Sequence, residues 1–213
     1  ITEIDGTETR RTYEDLARRS SQVANWLLDS GAKRGDRVML LLGNQVELWE
    51  SMLACIKAGL VINPATVMLG AADLEDRTTR AEISWVITNA EDAVKFDEAA
   101  GDFTIIQCGD DPNAQQAHPT LRYNDSFSAS AVFEQSQPTK ADETLLLYFT
   151  SGTTSRAKLV EHTHTSYPVG HLSTMYWIGL QKDDVHLNVA APGWAKHTWS
   201  NFFAPLIAEA TIY

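Results

Sequence analysis

Gly35-Asp36-Arg37-Val38-Met39-Leu40-Leu41-Leu42, the run from Asn44 to Gly59, and Val61-Ile62-Asn63-Pro64 together decide the fold. The unbroken apolar run from Val38 reads as a strand buried on both faces, because only a strand covered on both sides excludes polar residues from alternate positions. Gly35-Asp36 is the turn that delivers it. A helix begins near Asn44, with Trp49, Met52, Leu53 and Ile56 on one face, and Gly59 ends it. Val61-Ile62 then forms a second strand, which Pro64, lacking an N–H, is expected to close. Strand, helix, strand in this order is a β-α-β unit, and its two strands should run parallel.

The same alternation extends both ways. Upstream, Thr12-Tyr13-Glu14-Asp15 resembles a capping box with Asp in place of Glu, and Leu16, Val23, Ala24 and Leu27 keep helical spacing until Gly31. Downstream come a helix over Ala71 to Arg80, a strand at Trp85-Val86-Ile87-Thr88, a weak helix, and a strand at Thr104-Ile105-Ile106-Gln107-Cys108. The prediction is an α/β fold, a mostly parallel sheet covered by helices. Residues 1–108 form a first α/β subdomain in this reading. Residues 109–143 form an irregular junction, polar through Asp110-Asp111-Pro112-Asn113, Gln115-Gln116 and Ser126 to Ser130. Residues 144–213 start a second unit: a strand at Leu145 to Tyr148, a helix over His164 to Ile178, a strand over Val185 to Val189, and a helix over Trp194 to Ala208. A further strand starts at Thr211 and breaks off at Tyr213, which is expected of a fragment rather than of a complete domain. There is no internal repeat.

Composition narrows the function classes. A formal net charge of −11 over 213 residues opposes sequence-independent nucleic-acid binding, which needs a basic surface. No run approaches the ~18 apolar residues of a membrane span, and Ile1-Thr2-Glu3-Ile4-Asp5 lacks the order of a signal peptide, so a cytoplasmic location is expected. The two cysteines, Cys55 and Cys108, give neither a disulfide framework nor a metal spacing and read as buried thiols. His162, His164 and His171 lack the His-Glu-x-x-His order and have no cysteine nearby, so no metal site is assigned to them.

The segment that carries chemistry is Tyr148-Phe149-Thr150-Ser151-Gly152-Thr153-Thr154-Ser155-Arg156-Ala157-Lys158. Hydroxyls and backbone N–H groups donate to phosphate oxygens, Gly152 permits close approach, and the Lys158 ammonium supplies a mobile positive charge. It is not a Walker loop, because Lys158 leads into Leu159-Val160 rather than into a helix. A Ser/Thr-rich segment on its own is also what an ordinary turn looks like, and Lys158 on its own is a solvated lysine.

As a whole the segment resembles the phosphate-loop signature of the adenylate-forming superfamily, which includes acyl-CoA synthetases, luciferases and peptide-synthetase adenylation domains. Thr12-Tyr13-Glu14-Asp15-Leu16 is similar to the superfamily's opening helix motif, and Lys57-Ala58-Gly59-Leu60-Val61-Ile62-Asn63-Pro64 to its second segment. Pro192-Gly193-Trp194-Ala195-Lys196-His197 resembles the acyl-pocket segment of the short- and medium-chain acyl-CoA synthetase branch. The resemblance implies the large N-terminal domain of an acyl-CoA synthetase-like fold. It also implies a parent enzyme that uses ATP and Mg²⁺ to activate a small or medium carboxylic acid as acyl-AMP and then forms a CoA thioester. By that carry-over Thr150, Ser151, Gly152, Thr153, Thr154 and Lys158 would hold the nucleotide phosphates, with Lys158 acting catalytically. Trp194 would form a wall of the acid pocket and His197 would approach the carboxylate, although an aromatic at the start of an apolar helix also packs as ordinary core.

Two positions depart from the signature: Ser155 stands where the family usually has Gly, and Ala157 where it often has Pro. If residue 155 needs positive φ, a serine there costs about 1 kcal/mol relative to glycine. The superfamily's later motifs, including its adenylation lysine, are missing, so the chain alone is expected to be inactive and, through the apolar face left uncovered, to self-associate. The competing readings are an adenylation domain that loads a carrier protein and a non-catalytic nucleotide-binding or interaction module.

Overall fold

The computed structural model describes residues 1, 6–109, 117–150 and 156–213. Helix α1 (Tyr13–Asp29) starts in the capping box read from the sequence. The Asp15 N–H donates to Thr12 Oγ1 at 3.0 Å, and the Thr12 N–H donates to Asp15 Oδ2 at 3.1 Å. Then follow β1 (Arg37–Leu41), α2 (Val46–Ala58) and β2 (Val61–Ala65). Gly59 ends α2 at φ 69°, a left-handed cap that glycine adopts without steric cost. Helix α3 (Ala71–Arg80), β3 (Trp85–Asn89), the single turn α4 (Ala90–Ala93) and β4 (Thr104–Cys108) continue the alternation. Strands β5 (Thr120–Arg122), β6 (Thr144–Thr150) and β7 (Lys158–Thr163) complete the main sheet. Its order is β5-β4-β3-β1-β2-β6-β7, parallel throughout except for β7, which runs antiparallel to β6.

Alternation along each strand feeds two cores. Val38, Leu40, Ile62, Ile87, Ile106 and Tyr148 face α1 and α2, while Met39, Leu41, Val86, Ile105 and Phe149 pack with Leu74 of α3 and Phe96. Both faces of the central strands are therefore covered, as a continuous apolar run requires.

Three expectations need correction. Pro64 does not close β2: it lies inside the strand opposite Leu40. The Val61 N–H donates to Asp36 O on the β1 side, so alternation turns the nitrogen of Pro64 toward β6. The recorded register toward β6 is Ile62 opposite Leu146 alone, and the Asn63 side chain donates to Leu147 O at 2.7 Å instead. Proline thus sits where no ladder bond is required of it.

Second, the polar stretch after residue 109 contributes structure, namely the edge strand β5 and a 3₁₀ turn over Tyr123–Ser128. Side chains of α1 hold it: Gln22 Nε2 donates to Phe127 O and Ala129 O, and Asn25 Nδ2 to Ser130 O and Val132 O. Beneath this lies a buried ion pair, Arg19 to Glu50 at 3.3 Å, with Arg19 also donating to Ser126 Oγ and lying 3.6 Å from the Phe127 ring centroid.

Third, after helix α5 (Ser166–Ile178), the strand expected over Val185 to Val189 is only β8 (Val185–His186). Asn188 breaks it, its side chain donating to Ser200 Oγ while its carbonyl accepts from Ala190 N–H.

The helix expected over Trp194 to Ala208 is present as one unbroken run: α6 (Ala195–His197), a π-helical stretch Thr198–Phe203, and α7 (Ala204–Ile207). Pro205 has no N–H to give back to this run. The carbonyls it leaves, those of Ser200 and Asn201, accept from His186 Nε2 at 2.8 Å and from the Trp49 indole at 3.4 Å. The last strand, β9 (Thr211–Ile212), pairs parallel with β8.

Candidate active site at the C-terminal edge of the sheet

All the parallel strands end at one edge, and in open α/β sheets that edge is where ligands bind. Strand β6 ends there at Thr150, and β7 begins with Lys158 directly opposite in antiparallel register. Thr150 is half-buried and Lys158 exposed. Ser151, Gly152, Thr153 and Thr154, with Ser155, lie outside the described residues. Of the phosphate-loop set, the structure therefore brings Thr150 and Lys158 side by side.

The segment 192–197 reaches the same edge at β2, the strand next to β6. Gly193, at φ 90°, packs against the backbone leaving β2. A Cβ on it would lie 2.8 Å from Thr66 Cα, and nearer still to Thr66 N and the Ala65 carbonyl carbon. Only glycine fits that approach. Trp194 follows as the cap of α6 and is 56% exposed, so it is not core. A large aromatic face is left uncovered at the edge.

His197, one turn later, is the opposite case, 1% exposed. Its Nε2 lies 2.8 Å from Asn44 Oδ1, just beyond β1, and 3.2 Å from Asn201 Nδ2, with the Trp49 ring tilted 5.8 Å away. Burial lowers its pKa to about 4, so the imidazole is neutral at pH 7. It ties β1, α2 and the π-helical stretch together. Among the described residues no hydrogen bond or ring contact joins Lys158 to Trp194 or His197.

Next to this segment, Tyr148 of β6 bonds through its hydroxyl to Thr198 Oγ1, and the Tyr167 hydroxyl donates to Ala195 O at 3.2 Å. His171 stacks on Trp199, and Tyr167 meets His162, His171 and Phe203 edge to face. Burial pulls the pKa values of His162 and His171 down, which favours an uncharged aromatic wall. Sequence reasoning missed Asn44 and Thr198 at this edge. Asn44 carried one usable signal, a polar residue just past the C-terminal end of a buried strand. A separate cavity of about 490 Å³ opens at the opposite edge beside Arg34, Arg37 and Glu143. Its arginines pair with Glu143 and Glu82, and Asp142 and Glu161 also line it, so it offers no spare positive charge for a phosphate.

Comparison with known proteins places the chain in a family. The chain is 34% identical over 207 residues to 4-hydroxybutyrate–CoA ligase 1 of Metallosphaera sedula, covering 97% of the chain and 36% of that protein. It is 31% identical to the mouse mitochondrial acyl-coenzyme A synthetase ACSM3, covering 98% of the chain and again 36% of the relative. The chain thus spans about a third of the length of these relatives. A crystal structure of Brucella canis acyl-CoA synthetase superposes with a TM-score of 0.87 at 27% identity, over 99% of this chain and 38% of that one. The model of the AMP-binding enzyme family matches residues 2–213, and the chain belongs to that family.

Proposed function

We propose that this chain forms the phosphate-binding and part of the acid-binding surface of an AMP-forming acid–thiol ligase acting on a small or medium carboxylic acid. The observation that carries the reading is the pairing of Thr150 with Lys158 at the mouth of the β6 to β7 connection, within a family match spanning residues 2–213.

The reaction needs positioning and charge neutralisation more than a protein nucleophile. A carboxylate oxygen forms a bond to the α-phosphorus of ATP, the bond to the bridging oxygen breaks, and pyrophosphate leaves with the electron pair. Thr150 and the hydroxyl-rich residues after it donate to the phosphates, and the Lys158 ammonium meets the charge that grows on the leaving pyrophosphate. Trp194 covers the apolar part of the acid. His197, neutral and buried, fixes the segment that carries Trp194 and exchanges no proton with the substrate. In the second half-reaction a thiol attacks the acyl carbonyl and AMP departs. The named relatives are CoA ligases, which supports CoA over a carrier protein as the thiol donor. Mg²⁺ would arrive on the triphosphate: among the described residues no group of three His, Cys, Asp or Glu is placed to hold an ion.

The isolated chain would do no turnover. The exposed face of α5, with Tyr176 and Trp177 (82% exposed), supports the expectation that it self-associates.

The test is ATP–pyrophosphate exchange by the full-length protein with a panel of short- and medium-chain carboxylic acids. Acid-dependent exchange is expected, with Lys158→Ala lowering kcat/KM for ATP by roughly ten- to a hundredfold, the equivalent of one charge-assisted hydrogen bond to phosphate. Exchange that no acid stimulates would favour the non-catalytic module, and an unchanged ATP dependence in Lys158→Ala would remove that residue from the site.

A further inference from the structure

We infer that Asp76 is a positioning residue for the nucleotide step, holding the two flanks of the phosphate loop through a pair of arginines; this rests on the proposed ligase reading. Asp76 lies on α3, outside every motif read from the sequence. Its Oδ1 accepts from Arg156 Nε at 3.0 Å and from a second guanidinium nitrogen of Arg156, and its Oδ2 accepts from Arg80 at 2.9 Å. Arg80 then donates to Ala157 O at 2.8 Å. On the other flank, the guanidinium groups of Arg77 and Arg80 each lie 5.1 Å from the Phe149 ring centroid. One helix thus grips the residue before Thr150 and the two residues before Lys158.

The chemistry suits positioning rather than ligand binding. A bare carboxylate beside a triphosphate would repel it, but both oxygens of Asp76 are committed to guanidinium groups, chiefly that of Arg156, which hold its pKa below the usual range. Asp76, Arg80 and Arg156 together carry a net charge of +1. Ala157, where a proline would restrict the backbone by itself, has its carbonyl held by Arg80 instead. Lys158 therefore starts β7 from a fixed point.

Asp76→Ala and Arg156→Ala in the full-length protein test the assignment. Arg156→Ala leaves the Asp76–Arg80 pair within α3 intact. Both variants should raise KM for ATP about three- to tenfold, the range for a partly exposed charge network, with KM for the acid moving less than twofold. The double variant should be no worse than either single one, and Asp76→Glu should retain most of the ATP affinity. Equal rises in both KM values, or no rise for ATP, would reduce the cluster to ordinary surface pairing and overturn the inference. A second readout is independent of catalysis: hydrogen exchange of the amides of residues 157–160 should quicken in Asp76→Ala, and unchanged protection would overturn the inference. If the unsubstituted protein shows no exchange with any acid, the ligase reading fails by itself, and amide protection still decides whether α3 orders the start of β7.

Discussion

Gly193→Ala tests whether the acid-binding segment is seated on the sheet as described. The added methyl carbon would stand 2.8 Å from Thr66 Cα, and an ordinary contact begins near 3.4 Å, so two backbones must part by more than about 0.6 Å. Backbone cannot swing aside as a flexible side chain does. The residue must also hold φ 90°, which costs an L-amino acid about 1 kcal/mol, and overpacking adds about 1–3 kcal/mol. Together these give a loss of about 2–4 kcal/mol, measured as a shift in equilibrium urea unfolding. The displaced segment carries Trp194, so kcat/KM for the acid should fall by roughly tenfold or more while KM for ATP changes little.

Gly170→Ala is the matched control. It lies inside α5 with open space around it and no positive φ, so alanine should stabilise by about 0.5–1 kcal/mol and leave both kinetic constants alone. A Gly193→Ala protein as stable as the parent, with unchanged acid kinetics, would refute the close-approach argument.

Two further outcomes follow from buried groups. His197 has a pKa of about 4 in the folded chain, against about 6.5 when unfolded, so the unfolded state takes up the proton first. Its contribution is complete above about pH 6.5 and is lost as pH falls toward 4, by about 3 kcal/mol in all, with His162, His164 and His171 adding to the loss in the same direction. His197→Gln should flatten the stability profile in that window by about one proton, and a profile of unchanged slope would show that His197 is not the titrating group. Arg19→Met strands the buried Glu50 carboxylate and should cost about 3–5 kcal/mol in urea unfolding, part of which Glu50→Gln restores in the double variant. Additive losses in the two single variants would show that the pair is not coupled.

The α/β architecture was legible because the apolar runs at Val38 and Trp85 are continuous and the helix ends carry their own caps at Thr12 and Gly59. What stayed hidden depends on neighbours distant in the chain. Pro64 reads locally as a strand stop, yet the side chain of Asn63 supplies the bond toward β6 that the backbone omits. Trp194 to Ala208 reads as one helix and is one, but its π-helical turn stayed hidden because Pro205 is accommodated there only where Trp49 and His186 take up the freed carbonyls. In the site, Thr150 and Lys158 were readable as chemistry. Asp76 was not, and Asn44 only by its place just past a buried strand, since an ordinary polar residue acquires its role from the tertiary partner it meets. His197 was readable as a histidine of the acid segment, but its burial and its low pKa were not.

The whole-chain charge of −11 and the anionic substrate proposed above are compatible because the scale of each effect differs. Dispersed surface carboxylates act over distances at which salt screens them, about 8 Å at physiological ionic strength. Arg77 and Arg80 meet Phe149, Arg80 meets the Ala157 carbonyl, and Asp76 is paired with both Arg80 and Arg156, all at contact range beside the β6 to β7 connection. Local arrangement therefore outweighs net charge at this edge of the sheet. On the inference drawn above, α3, which contributes no residue to the phosphate-loop signature, gathers positive charge beside that connection.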